Sequence, residues 1–128
     1  CIVLSVDTKQ VVSTHNVFTN GGRTETEKEF VTWVSEAVNR GVGEVLLTSM
    51  DHDGTKDGFA IDITRTLSEL LHVPVVASGG AGNMQHFVDV FQSGKADAAL
   101  AASIFHFGEI EIPELKKYLF KKNIPVRL

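Results

Sequence analysis

Short apolar runs alternate along this chain with longer stretches in which apolar positions recur every three to four residues. Residues 1–6 (CIVLSV) form an almost unbroken apolar run, as a strand buried on both faces would. Residues 11–18 read as a short hairpin arm that turns near Asn20-Gly21-Gly22. A helix is predicted over 26–40. Thr26 and Glu29 have capping-box spacing, and Phe30, Val34, Ala37 and Val38 share a face. Gly41 stands where a C′ glycine ends a helix. Residues 44–48 (EVLLT) read as the second strand, 49–60 as a polar loop and 62–71 as the second helix, with Ile63, Leu67, Leu70 and Leu71 facing inward. Residues 74–77 (PVVA) read as the third strand, with Pro74 tolerable at its first position. A glycine turn follows over 78–82 (SGGAG), and Asn83 caps a helix that runs through Gln92 and ends at Gly94. The small-residue segment 98–102 reads as the fourth strand. Residues 103–107 open a short extra helix, and 113–122 form the last one, with Pro113 in its first turn.

Four strand–helix units in succession predict an α/β fold with a parallel sheet. With no linker or low-complexity segment between them, residues 1–128 are expected to be a single (βα)4 unit. Two architectures hold four such units: a small open doubly wound sheet, or half of a (β/α)8 barrel. Polar residues stand at the C-terminal ends of all four strands: Asp7, Thr48-Ser49, Ser78 and Ser103. Both architectures keep their sites there, so position alone does not choose between them.

Composition narrows the partners. Twelve basic and 16 acidic side chains give a formal charge of −4, without the basic surplus of a nucleic-acid groove. No apolar run reaches the roughly 18 residues of a membrane span. No signal-peptide pattern opens the chain, and a lone cysteine fits a reducing cytoplasm. The chain opens at Cys1 already inside a strand pattern, which suggests a cut or a lost upstream segment.

The candidate chemistry sits in the loops. Ser78-Gly79-Gly80-Ala81-Gly82 between strand and helix lets backbone N–H groups approach an anion, or serves only as a turn that needs positive φ. Ala101-Ala102-Ser103 repeats the arrangement, where barrels form a phosphate site from the loops after strands seven and eight; the bland reading is a crowded position that needs alanine. Asp7 fits a general acid or base, or a loop aspartate that caps nearby N–H groups. Thr48 offers a strand-end hydroxyl to a substrate. Asp51, His52 and Asp53 are too close in sequence for a closed metal site, so no metal is expected, and Asp53-Gly54 marks a turn.

Three runs, taken together, carry a resemblance. They are Leu46-Leu47-Thr48-Ser49-Met50-Asp51-His52-Asp53-Gly54-Thr55-Lys56-Asp57-Gly58, Ala77-Ser78-Gly79-Gly80-Ala81-Gly82 and Ala98-Ala99-Leu100-Ala101-Ala102-Ser103-Ile104-Phe105-His106. In sequence and order they resemble the cyclase subunit of imidazole glycerol phosphate synthase, and only its strands five to eight. The resemblance implies a (β/α)8 barrel of histidine biosynthesis. With ammonia from a partner glutaminase, such a barrel cleaves and cyclises a bis-phosphorylated ribulosyl nucleotide, and it needs no cofactor. It implies that Asp7 is the catalytic aspartate of strand five, and that Thr48 and Ser78 line the substrate. Gly54, Gly79, Gly80, Ala102 and Ser103 would bind one substrate phosphate. Glu44, at the other end of its strand, would belong to the ammonia gate. The family's second catalytic aspartate ends strand one, outside the resemblance, so these residues alone are expected to show negligible activity. The sister isomerase of the pathway is similar, but Lys56 after Asp53-Gly54-Thr55 and the Ser103-Ile104-Phe105-His106 run favour the cyclase. The alternative from another class is a non-catalytic half barrel, whose open sheet edges and inner face favour a homodimer or higher assembly.

Overall fold

The computed structural model describes residues 2–128. A six-stranded sheet, in the order β3-β2-β1-β4-β5-β6, carries five helices. The strands are β1 (Val3–Val11), β2 (Thr14–Thr19), β3 (Thr24–Glu29), β4 (Glu44–Ser49), β5 (Val75–Ser78) and β6 (Ala98–Leu100). The helices are α1 (Phe30–Asn39), α2 (Ile61–Leu70), α3 (Met84–Gln92), α4 (Ser103–His106) and α5 (Ile112–Lys121). β1, β4, β5 and β6 are parallel, and a helix crosses between each successive pair. This is the α/β arrangement of half a (β/α)8 barrel.

An antiparallel addition, β2 and β3, was only half visible in the pattern. β1 does not stop at Val6. It runs on to Val11, and its outer half pairs with β2 from Asp7↔Phe18 to Val11↔Thr14. The predicted arm at 11–18 is therefore divided between β1 and β2, and the chain turns twice. Cys1 of the predicted first strand lies outside the described residues.

The largest departure is at 24–29. Thr26 does not form a capping box; its hydroxyl donates to the Val17 carbonyl at 2.7 Å, within the β2–β3 pair. β-Branched threonines at alternate positions favour strand there. The helix begins three residues later than the spacing suggests, at Phe30, and Glu29 is its cap. The two Glu29 carboxylate oxygens accept from the N–H of Val31 (3.0 Å) and of Thr32 (2.8 Å). At the far end Gly41, at φ 104°, donates to Val38 O while Val42 donates to Ala37 O, closing a Schellman motif.

Period-two burial divides the sheet into two faces. Val45, Leu47 and Ser49 of β4 are buried, while Glu44, Leu46 and Thr48 are half-buried. The buried face meets the helices. Phe30, Val34 and Val38 of α1 and Leu67 of α2 pack on Val6, Val45, Leu47 and Val75. A second cluster joins Ala77, Phe87 and Val90 to Ile104, Leu115 and Leu119, with Phe59 edge-on to Phe87 at 5.3 Å. In α2, Leu67 is buried but Leu70 is 55% exposed, contrary to the helical pattern. Thr64 takes the inward position and donates to Ala60 O. Among the described residues no helix covers the opposite face of the sheet: Val3 is 49% and Leu100 42% exposed.

Candidate functional site

Register brings the strand ends together. Asp7 pairs with Thr48, Thr48 with Ser78, and Ser78 with Leu100, so one row crosses four parallel strands. Residues paired in this way project to the same face. Here it is the face without helices, near the C-terminal ends of β4, β5 and β6.

At that end a cavity of about 280 Å³ opens between three loops. Thr48, Gly54, Ser78, Gly79, Gly80, Ala102 and Ser103 all line it. The structure thus gathers seven of the nine candidate residues in one place. Asp7 lines a neighbouring cavity of about 230 Å³ that shares Thr48 and Asp53 with the first. Glu44 is not among them. It stands at the opposite end of β4, paired with Val3.

The glycines are required for a reason the sequence did not offer. Loop 50–58 lies directly on the turn after β5, and Gly58 N–H donates to Gly80 O at 2.8 Å. A Cβ on Gly80 would fall 2.0 Å from Gly58 O, and one on Gly82 would fall 2.2 Å from Lys56 O. Gly80 also holds φ at 99°, a region closed to most side chains. Turn geometry and close loop contact are both satisfied, and the result shapes the cavity wall.

Five described residues of the cavity lining carry backbone donors without a partner. In the hydrogen bonding of the described residues, the N–H groups of Gly54, Gly79, Gly80, Ala102 and Ser103 meet no protein acceptor. Backbone N–H groups without a protein acceptor are available to an anion. Neutral Ser78 and Thr48 hydroxyls add further hydrogen-bonding capacity beside them.

Some residues here were passed over by the sequence reading. Asp53, at a predicted turn, lines both cavities, and Lys56 lines the larger of the two. Gly21 and Gly22, read only as a turn, roof the Asp7 cavity, where the Cβ of a residue at 22 would fall 2.4 Å from Met50 Cε. Asp51 Oδ2 accepts from Gln10 N–H at 2.7 Å and ties loop 50–58 to the hairpin. His52 Nδ1 lies 2.9 Å from Ser49 Oγ. His86 accepts from Gly82 N–H through Nδ1 and braces the turn after β5. No local pattern marks these contacts, because each joins residues from different loops.

Comparison with known proteins places the chain. The family described as "Histidine biosynthesis protein" matches residues 1–111. "Imidazole glycerol phosphate synthase subunit HisF" of Phocaeicola vulgatus is 57% identical over 126 residues, which is 98% of this chain and 50% of the relative. The same subunit of Bacteroides fragilis is 58% identical over 125 residues, 98% of this chain and 50% of its own. That of Flavobacterium johnsoniae is 55% identical over 128 residues, with 100% and 51% covered. The chain spans about half the length of the curated relatives it matches. On the match to residues 1–111, this chain belongs to the histidine biosynthesis protein family.

Proposed function

We propose that this chain supplies half of the catalytic barrel of an imidazole glycerol phosphate synthase cyclase. In that reading residues 1–128 form one (βα)4 half-barrel unit. It holds one phosphate of a bis-phosphorylated ribulosyl nucleotide and presents Asp7 to the reacting end. The observation that carries the reading is the Asp7–Thr48–Ser78 row, ending beside a cavity lined by N–H groups that meet no acceptor. Phosphate binds to Gly54, Gly79, Gly80, Ala102 and Ser103, and Thr48 and Ser78 orient the body of the substrate. Asp7, one strand over, gives or takes the proton during cleavage and ring closure. Ammonia comes from a glutaminase on the opposite face, past Glu44. The single cysteine fits a cytoplasmic setting, and no described helix is long and apolar enough to cross a membrane.

General acid–base chemistry needs both partners within reach of the substrate. The second aspartate, in the resemblance, belongs to strand one. These residues alone are therefore proposed to bind phosphate with negligible turnover. The relatives named above carry the synthase name, which favours this reading over the sister isomerase.

Thermal unfolding with added inorganic phosphate tests the cradle. At one hundred times its Kd, phosphate should stabilise the fold by about 2.7 kcal/mol. Ser103→Asp should remove that gain, because it sets a carboxylate among the donors. A midpoint that does not move with phosphate contradicts the reading. Ser103 is the better target than Gly80, where any side chain would collide with Gly58.

A second observation favours self-assembly of the isolated chain. Among the described residues, the outer edge of β6 and the side of the Val3–Val6 stretch of β1 away from β4 have no strand beside them, and the face between them is uncovered. Either the remaining half of a barrel or a second copy of this chain would close both edges.

A further inference from the structure

We infer that Lys56 is a phosphate-binding residue held in reserve by Glu109, exchanging one anion for the other when the cavity fills. The inference rests on the phosphate reading above and adds a charged ligand and a release step to it. Lys56 is the one cation lining the larger cavity among the described residues. Its Nζ lies 2.7 Å from both carboxylate oxygens of Glu109, in the segment that follows α4. The pair therefore bridges the loop after β4 and the loop after β6, which face each other across the cavity.

Two features suit this lysine to the task. Its backbone is fixed: φ is 61°, and its carbonyl presses so closely on Gly82 that a Cβ there would fall 2.2 Å away. Its side chain is not fixed. The Lys56 and Glu109 side chains are 46% and 38% exposed, so water competes for both ends and the pair is weak. A fixed root and a loosely held tip let the ammonium turn inward without moving the loop. A phosphate dianion offers more charge than one carboxylate, and charge-assisted contacts with it are strong. Until phosphate arrives, Glu109 neutralises the ammonium. The exchange also frees the loop after β6 from the loop after β4, so arrival of phosphate unlatches one loop from the other.

The test is calorimetric titration of the protein with inorganic phosphate, comparing wild type, Glu109→Gln and Lys56→Gln. Glu109→Gln keeps the shape of the side chain and removes its charge, and Lys56→Gln removes the charge and leaves a shorter polar side chain. Glu109→Gln should bind phosphate about two- to fivefold tighter, the range set by an exposed ion pair. Lys56→Gln should bind roughly tenfold weaker, and the double variant should match Lys56→Gln alone. The Lys56 ammonium signal in nitrogen-detected NMR should shift with phosphate in wild type. If wild type binds phosphate and all variants bind it equally, the exchange is wrong while the cradle stands. If no protein binds phosphate, the cradle fails and the exchange fails with it. A Lys56 signal that ignores phosphate while Glu109→Gln still binds tighter would reduce the effect to long-range charge and overturn direct contact.

Discussion

Glu29 shows how one side chain sets an element boundary. Burial alone would push its carboxyl up. The Thr32 hydroxyl, the Thr32 and Val31 amides and the nearby His15 charge outweigh burial and hold it below the ordinary carboxylate range. A depressed folded-state value means that its stabilisation is present above the unfolded value and is lost as pH falls through the folded one. Glu29→Ala should therefore lower stability by about 1 kcal/mol at neutral pH. The difference from wild type, measured by denaturant unfolding, should shrink below pH ~4. Gly80→Ala should cost more, roughly 2 kcal/mol or above, because it forces both a positive φ and a backbone collision. Urea midpoints would check both. Gly79, Gly80 and Gly82 were legible as a turn, and their positions relative to the loop after β4 were not. A pairing such as Gly58 with Gly80 joins residues 22 positions apart, which no window of local sequence contains.

At the level of elements, period and caps served well where one neighbour decides the outcome. β4, α3 with its Asn83 cap, and Gly41 all lie within a residue of where their patterns put them. They served poorly where two patterns compete. Residues 24–29 satisfy a capping-box spacing and a β alternation together, and pairing with β2 settles the matter for strand. The second cluster holds α3, α4 and α5 to β5 and β6 through Phe87, which is 2% exposed and in ring contact with both Phe59 and Phe105. Phe87→Ala should cost about 3–5 kcal/mol and disorder the loops that form the cavity. Its phosphate-dependent stabilisation should fall with it in the same thermal scan.

For the whole molecule, the four strand-end residues were legible because parallel strands place successive C-termini on one edge. Which of them share a row was not, since register depends on pairing. An isolated chain with two free edges and an uncovered face should sediment at about twice 13.9 kDa; a monomer at high concentration would contradict closure by a second copy. The central claim, that these residues are the Asp7-bearing and phosphate-bearing half of a cyclase, is tested most directly by reconstitution. The chain would be mixed with the N-terminal half of a HisF relative, and ammonia-dependent turnover would be followed. Negligible turnover is expected from either half, clear turnover from the pair, and its loss in Asp7→Asn with the assembly intact. Equal turnover from the Asp7→Asn pair, or from this chain alone, would contradict the claim.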